Sequence, residues 1–330
     1  MRRKIIKQGH NTLTITIPSK WAKNFNLKAG DEIELKEKEN GLYLSTERKS
    51  STLKTEIYIS DIDIPTIWKY FMAVYREGYD EVIVKFDPAI NFGDPYKFFI
   101  QYALDTKYQK EKKEITPIEF IRELVTRFIG YEIINYGKDF VVVKEISEPT
   151  SREFDNCLRR VFLLIQQMTE EISDALHKKD TILLNNIHDI DTNLDKFHDY
   201  CIRVLNKIGN KDSKKTSLFF ATLYLLELLG DEFKNISHHL IYDFKKTDYE
   251  NIIMIIDSVK KQFDLFYEVF YTFDKDKINQ ISELDKERYF NVNKVYNKIK
   301  KDEEKEIFHH LRIITRYLNA LTELRIEMEF

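Results

Sequence analysis

Between residues 152 and 330, apolar side chains recur at three- and four-residue steps with little to interrupt them. Phe154, Leu158, Val161, Phe162, Ile165, Met168, Ile172 and Leu176 fall on one face of a helix. The pattern breaks near Lys178-Lys179-Asp180, Gly209–Lys215, Phe244–Asp248, Asp274–Asp276 and Lys300–Lys305. Those breaks predict six helices of about seven turns each, where about three turns is ordinary. Apolar faces of that length must pack on one another, so this half reads as a bundle. Six similar helices in three-plus-three order suggest an internal duplication of a three-helix bundle, with repeats at about 152–243 and 248–330. The composition agrees: 9 Gly and 6 Pro in 330 residues, with 32% charged, suits long helices rather than an all-β or disordered chain.

The front of the chain differs in charge and in period. From Met1 to Lys28 the charged residues are Arg2, Arg3, Lys4, Lys7, Lys20, Lys23 and Lys28, with no acid. The whole chain carries −3, so the remainder is net acidic. A basic end on an acidic protein points to a polyanion, nucleic acid or a membrane surface, although a solvated basic surface has the same composition. Leu13, Ile15 and Ile17 alternate with threonines as in a half-buried strand. Pro18 can open a helix through SKWAKNF, and Asn26 can end it in a left-handed conformation. Ala29-Gly30-Asp31 makes a turn, and Asn40-Gly41 signals a hairpin between IELKEKE and LYLST. About fifty residues is near the lower limit for a free-standing core, a shortage that dimerisation would relieve.

Residues 51–148 read as a small α/β domain. Glu56–Ile59 and Val82–Phe86 are expected strands flanking a helix over Ile64–Arg76. A helix over Pro117–Phe128 follows, then strands at Tyr131–Asn135 and Phe140–Lys144 joined by Tyr136-Gly137-Lys138. The loop Asp87–Lys97 is irregular, and its single Gly93 is not a phosphate cradle. No catalytic constellation appears here, and a linking role is expected.

The segment GHNTLTITIPSKWAKNFNLKAGDEIEL resembles the AbrB/MazE/SpoVT swapped-hairpin family through Gly9, Ile17, Pro18, Lys20, Trp21, Leu27, Lys28, Gly30, Asp31 and Ile33. The resemblance implies a domain at 1–50 in which two chains exchange hairpins to form one small barrel. It also implies double-stranded DNA as partner, met by Arg2, Arg3, Lys4, Lys7, Lys20 and Lys23 with His10 and Asn11 in the adjoining loop. The run from Gly9 to Pro18 is longer than in the shortest members, so the loop around His10 and Asn11 departs from theirs.

Acids mark the helical half. Asp191, Asp195 and Asp199 follow at steps of four beside Asp189, and Glu227 and Asp231 repeat the step inside LYLLELLGDEF. Four-residue spacing sets like charges on one face, where they repel by a few tenths of a kcal/mol per pair. Facing carboxylate pairs make an all-oxygen cation site, and the same spacing also fits a solvated acidic stripe. An offset of 92 carries these positions to Glu283, Glu287, Asn319 and Glu323, a weaker second set because Asn319 is uncharged.

Residues of about 150–330 resemble the PhoU family of phosphate-uptake regulators, duplicated three-helix bundles with metal-binding E/DxxxD motifs. Asp191xxxAsp195 and Glu227xxxAsp231 match, LLELLGDEFKNIS resembles the family's acidic helix, and Arg203 fits an arginine that often follows the first motif. RYLNALTELRIEME is a degenerate second copy. The resemblance implies a metal at Asp191, Asp195, Glu227, Asp231, Glu283, Glu287 and Glu323. A divalent or ferric ion is expected there, with Mg²⁺, Mn²⁺, Ca²⁺, Zn²⁺ and iron undistinguished. It also implies a phosphate transporter component or a signalling protein as a further partner.

Glu306-Ile307-Phe308-His309 has the ExxH form of di-iron bundles, but such a site needs two of them plus two further glutamates. Asp195-Lys196-Phe197-His198 is the only near match, and no GxSxG, Walker loop or HExxH is present. No enzymatic activity is expected. Cys157 and Cys201 lack CxxC spacing and read as buried free thiols, and no apolar run of about eighteen residues occurs. The expected protein is a cytoplasmic homodimer of multidomain α+β class: a swapped-hairpin barrel at 1–50, an α/β domain at 51–148, and an all-α PhoU-like domain at 149–330. Its expected function is DNA-binding regulation of phosphate uptake or homeostasis. The alternative is an adaptor that contacts a transporter or signalling partner without binding DNA.

Overall fold

The computed structural model describes residues 2–38, 41–46, 52–93, 114–210, 212–243 and 249–330. It divides into two compact units, Met1–Lys54 and Thr55–Phe330.

In the first unit, β1 (Ile6–Gln8) and β2 (Thr12–Thr14) form an antiparallel hairpin around Gly9, whose φ of 74° is readily adopted without a Cβ. The strand ladder ends at Thr14, opposite Ile6, so Ile15 and Ile17 lie beyond the paired strand that the alternation predicted. Helix α1 (Ser19–Asn24) begins after Pro18 and ends before Asn26, which has the expected left-handed φ of 49°. Asp31 accepts a bond from the Lys28 backbone N–H at 2.5 Å, closing the turn at Gly30. Strands β3 (Glu34–Lys38) and β4 (Gly41–Ser45) pair antiparallel with Lys38 opposite Gly41. The hairpin is therefore present, Gly41 belongs to its strand rather than its turn, and Asn40 lies outside the described residues. The sheets stay separate two-stranded pieces, so no closed barrel forms within one chain among the described residues. No described residue of this unit is buried.

The second unit opens with a four-stranded sheet in the order β5-β6-β8-β7. Its strands are β5 (Lys54–Tyr58), β6 (Glu81–Lys85), β7 (Tyr131–Tyr136) and β8 (Phe140–Glu145). β8 runs antiparallel to both neighbours, and alternation buries Val82, Val84, Val141 and Val143. Helices α2 (Ile64–Arg76) and α3 (Pro117–Val125) bury Trp68, Phe71, Tyr75, Phe120 and Leu124 in the same core. Each starts on a side-chain cap, Asp63 or Thr116, followed by proline in the first turn. Of the expected loop, only the part up to Gly93 lies within the described residues.

Six long helices follow among the described residues: α4 (Ser151–Lys178), α5 (Ile182–Ile208), α6 (Thr216–Asp243), α7 (Glu250–Tyr271), α8 (Lys275–Tyr296) and α9 (Asp302–Glu327). A capping box of Thr150 and Glu153 starts α4, and left-handed Lys179 ends it. Helices α4–α6 pack mutually, as do α7–α9. Across the triplets the first helices meet, α4 on α7, and the third helices meet, α6 on α9. The middle helices differ: α5 lies against α2 of the α/β layer, whereas α8 leaves Tyr289 and Phe290 about 60% exposed.

No helix among the described residues is long and apolar enough to cross a membrane. Cys201 is buried and Cys157 half-buried, both free, and burial pushes both thiols up, Cys157 to about 11.

Candidate functional site

The sequence-predicted DNA residues all lie in the first unit. Arg2, Arg3, Lys4, Lys7, Lys20 and Lys23 are exposed, as are His10 and Asn11 at the tip of the β1–β2 hairpin. Lys7 stands opposite Leu13 across that hairpin, and Lys20 and Lys23 lie on α1. Beside these cations the unit exposes Ile5, Ile6, Leu13, Ile15, Leu35, Leu42 and Tyr43, each more than half accessible. Basic residues next to unburied apolar strand residues suit both a polyanion and a partner chain.

In the second unit, α5 carries a charged stripe at four-residue steps. Its C-terminal part faces the α/β layer. Buried Arg203 donates to Glu145 Oε1 at 2.8 Å and to the carbonyls of Tyr75 at 2.6 Å and Tyr79 at 2.8 Å. Its guanidinium lies 4.8 Å from the ring centres of both Tyr75 and Tyr131. Lys207 bridges Asp80 and Glu145, each at 2.5 Å. One helical turn before Arg203, buried Asp199 receives Arg76 at 2.6 Å and Arg127 at 3.4 Å. Burial pushes Asp199 up, but His198, Arg127 and Arg76 outweigh it and hold the carboxyl at about 2.

The N-terminal part of the stripe turns toward α6. Asp195 is bonded by Arg127 at 3.0 Å, and buried Asp191 by Lys234 Nζ at 2.7 Å. The same ammonium holds Asp231 at 2.5 Å. The chain thus places its own cation between two of the four carboxylates expected to bind a metal. Charge compensation is incomplete. Asp191 is pushed up to about 7 by burial and Asp195 against the pull of Lys234, and its Oδ1 is buried without a hydrogen-bond partner. Glu227 is pushed up to about 8 by burial, Asp195 and Asp231, against Arg76. These shifts mark Asp191, Asp195, Glu227 and Asp231 as one electrostatic cluster across α5 and α6.

The second set is placed differently. Glu283, Glu287 and Glu323 are exposed, and Asn319 donates to Glu323 at 2.8 Å. The acid that α8 turns inward is Asp285, paired with buried Arg288.

Sequence reasoning missed three groups: the counterions Arg76, Arg127 and Lys234, buried His198 beside Asp199, and a histidine–glutamate group across α6 and α9. The charges were visible, but nothing local to 191–199 names partners that lie far along the chain. In the last group, Glu306 is joined by His310 rather than by His309 of the ExxH motif, because a four-residue step keeps both on one face.

Residues 6–52 match the model of the family described as antidote-toxin recognition MazE, bacterial antitoxin. That segment is consistent with DNA-binding or antitoxin-type regulation, and it coincides with the unit that carries the basic residues. No curated protein and no solved structure matches the chain.

Proposed function

We propose that this protein is a dimeric DNA-binding regulator, with Met1–Lys54 as the DNA-binding and dimerisation unit and Thr55–Phe330 as its sensing or interaction unit. The observation that carries the reading is the MazE-like segment coinciding with a run of seven cations and no acid before residue 29. Two copies pairing their exposed strands would cover the apolar face and present Arg2, Arg3, Lys4, Lys7, Lys20 and Lys23 twice. His10 and Asn11 at each hairpin tip would add polar contacts.

The finer reading, regulation of phosphate uptake, rests on the resemblance of the helical sequence to PhoU proteins and on the three-plus-three packing of α4–α9. The cluster of Asp191, Asp195, Glu227 and Asp231, in which burial pushes Asp191 and Glu227 up, would be its cation-responsive element, with Lys234 standing in for the ion.

DNA binding is tested by measuring affinity of the full chain for its own promoter region against salt concentration. Each neutralised phosphate contributes a slope of about −0.9, so replacing Arg2, Arg3 and Lys4 together by alanine flattens the dependence by roughly three units. An unchanged slope moves the DNA surface elsewhere. No binding by the parent protein favours the adaptor reading.

A further inference from the structure

The acidic cluster is rich in oxygen and already holds an ammonium. A second group of chemically different donors lies elsewhere in the bundle. His239 on α6 and Glu306 and His310 on α9 each offer a ligand atom, and the three atoms lie within 4.8 Å of one another. The packing of α6 on α9 brings them together, while the four-residue step from Glu306 to His310 sets that pair on one face. The imidazoles of His239 and His310 stand 5.4 Å apart, tilted by 34°.

A fourth residue gives this group the architecture of a ligand set. Glu232, one heptad before His239 on α6, is 2.6 Å from Nδ1 of His310. A carboxylate accepting from Nδ1–H fixes the tautomer and leaves Nε2 of that ring with its lone pair. This carboxylate–histidine relay commonly orients and strengthens a metal-bound imidazole. Both partners are mostly buried, with side chains 14% and 13% accessible, so the ring is held in place. His239 and His310 are half-buried and Glu306 is exposed, which leaves an entry path from solvent.

We propose that His239, Glu306 and His310 bind a divalent transition-metal ion of the Zn²⁺ class between α6 and α9, with Glu232 as the residue that positions His310. Two imidazoles and one carboxylate suit a borderline ion and are poor ligands for Mg²⁺ or Ca²⁺, which favour all-oxygen shells. Tetrahedral coordination at about 2.1 Å places ligand atoms about 3.4 Å apart, so the group must close by on the order of 1 Å, within reach of side-chain rotation. The ion would join the third helices of the two triplets and so couple their packing to metal supply. This inference is independent of the DNA-binding reading, since it concerns only the second unit.

The test uses the full chain with Co²⁺ as a spectroscopic probe. One Co²⁺ per chain should be retained, with visible absorption of imidazole-bound cobalt, displaced by Zn²⁺ but not by excess Mg²⁺. Glu306→Gln and His310→Asn should each abolish retention while the circular dichroism of the helices is unchanged. Glu232→Gln should weaken binding roughly 10- to 100-fold without abolishing it. Asp191→Asn should leave cobalt binding intact. Absence of retained Co²⁺, or retention insensitive to Glu306→Gln and His310→Asn, overturns the proposal. Loss of binding on Asp191→Asn alone also overturns it and assigns the ion to the acidic cluster.

Discussion

Replacing Leu13 by alanine should weaken self-association of the full chain by a margin that follows from its exposure. The first unit buries none of its described residues, and Leu13 is 69% exposed on a three-residue strand. Fully burying a leucine stabilises by about 1.5–3 kcal/mol, so covering the exposed two-thirds is worth about 1–2 kcal/mol. A symmetric dimer contains the residue twice, which brings the loss to about 2–4 kcal/mol per dimer. At about 1.4 kcal/mol per tenfold, the dimer Kd should rise roughly 30- to 1,000-fold. Sedimentation equilibrium over a wide concentration range measures this directly. Ile182→Ala supplies the control, since Ile182 is also 69% exposed but lies in the second unit, at the start of α5. The reasoning fails if Leu13→Ala leaves Kd unchanged, or if Ile182→Ala shifts it as far. It fails equally if the parent chain is monomeric at every concentration.

Three further outcomes follow from the second unit. Arg203→Ala should cost about 1.5–3 kcal/mol in urea unfolding, because it removes the charged donor to the Tyr75 and Tyr79 carbonyls and leaves Glu145 to Lys207 alone. Arg203→Lys should restore little of the planar multidentate contact. Asp199 is held at about 2 in the fold against about 3.9 unfolded, so its contribution of roughly 2–3 kcal/mol is complete only above about pH 5 and is lost as pH falls through 2. Urea titrations between pH 6 and pH 2 should therefore show a shallower acid decline in Asp199→Asn than in the parent, from a lower starting stability. Gly78→Ala should lower Tm by an amount equivalent to at least about 1–2 kcal/mol, since φ there is +88° and a Cβ would sit 2.6 Å from Lys207 Cγ.

The limits of the helices were legible because they are set by residues acting on their own neighbours. Lys178-Lys179-Asp180 interrupts the apolar period, and Lys179 adopts the left-handed φ of 55° that ends α4. Asn26 ends α1 by the same means. The strands of the α/β layer were legible through alternation, since Val82 and Val84 must face one side and their neighbours the other. The ladder of β1 and β2 was overextended because strand length depends on the partner available, and β1 supplies only three residues.

The acidic stripe divides the two kinds of information most clearly. By itself the sequence determined that Asp191, Asp195 and Asp199 share a helical face, since that follows from 3.6 residues per turn. It determined equally that the first 28 residues are purely basic and that six long helices follow the α/β segment. What each acid does was decided only when the chain closed on itself. Asp199 and Asp195 are neutralised by Arg76 and Arg127 from the α/β layer, Asp191 and Asp231 share Lys234, and Glu227 is left raised. The same closure drew His239 to Glu306 and His310 across two helices. Coulomb energy depends on distance in space, and residues such as Arg76 and Asp199, 123 positions apart in the chain, become neighbours only through helix packing.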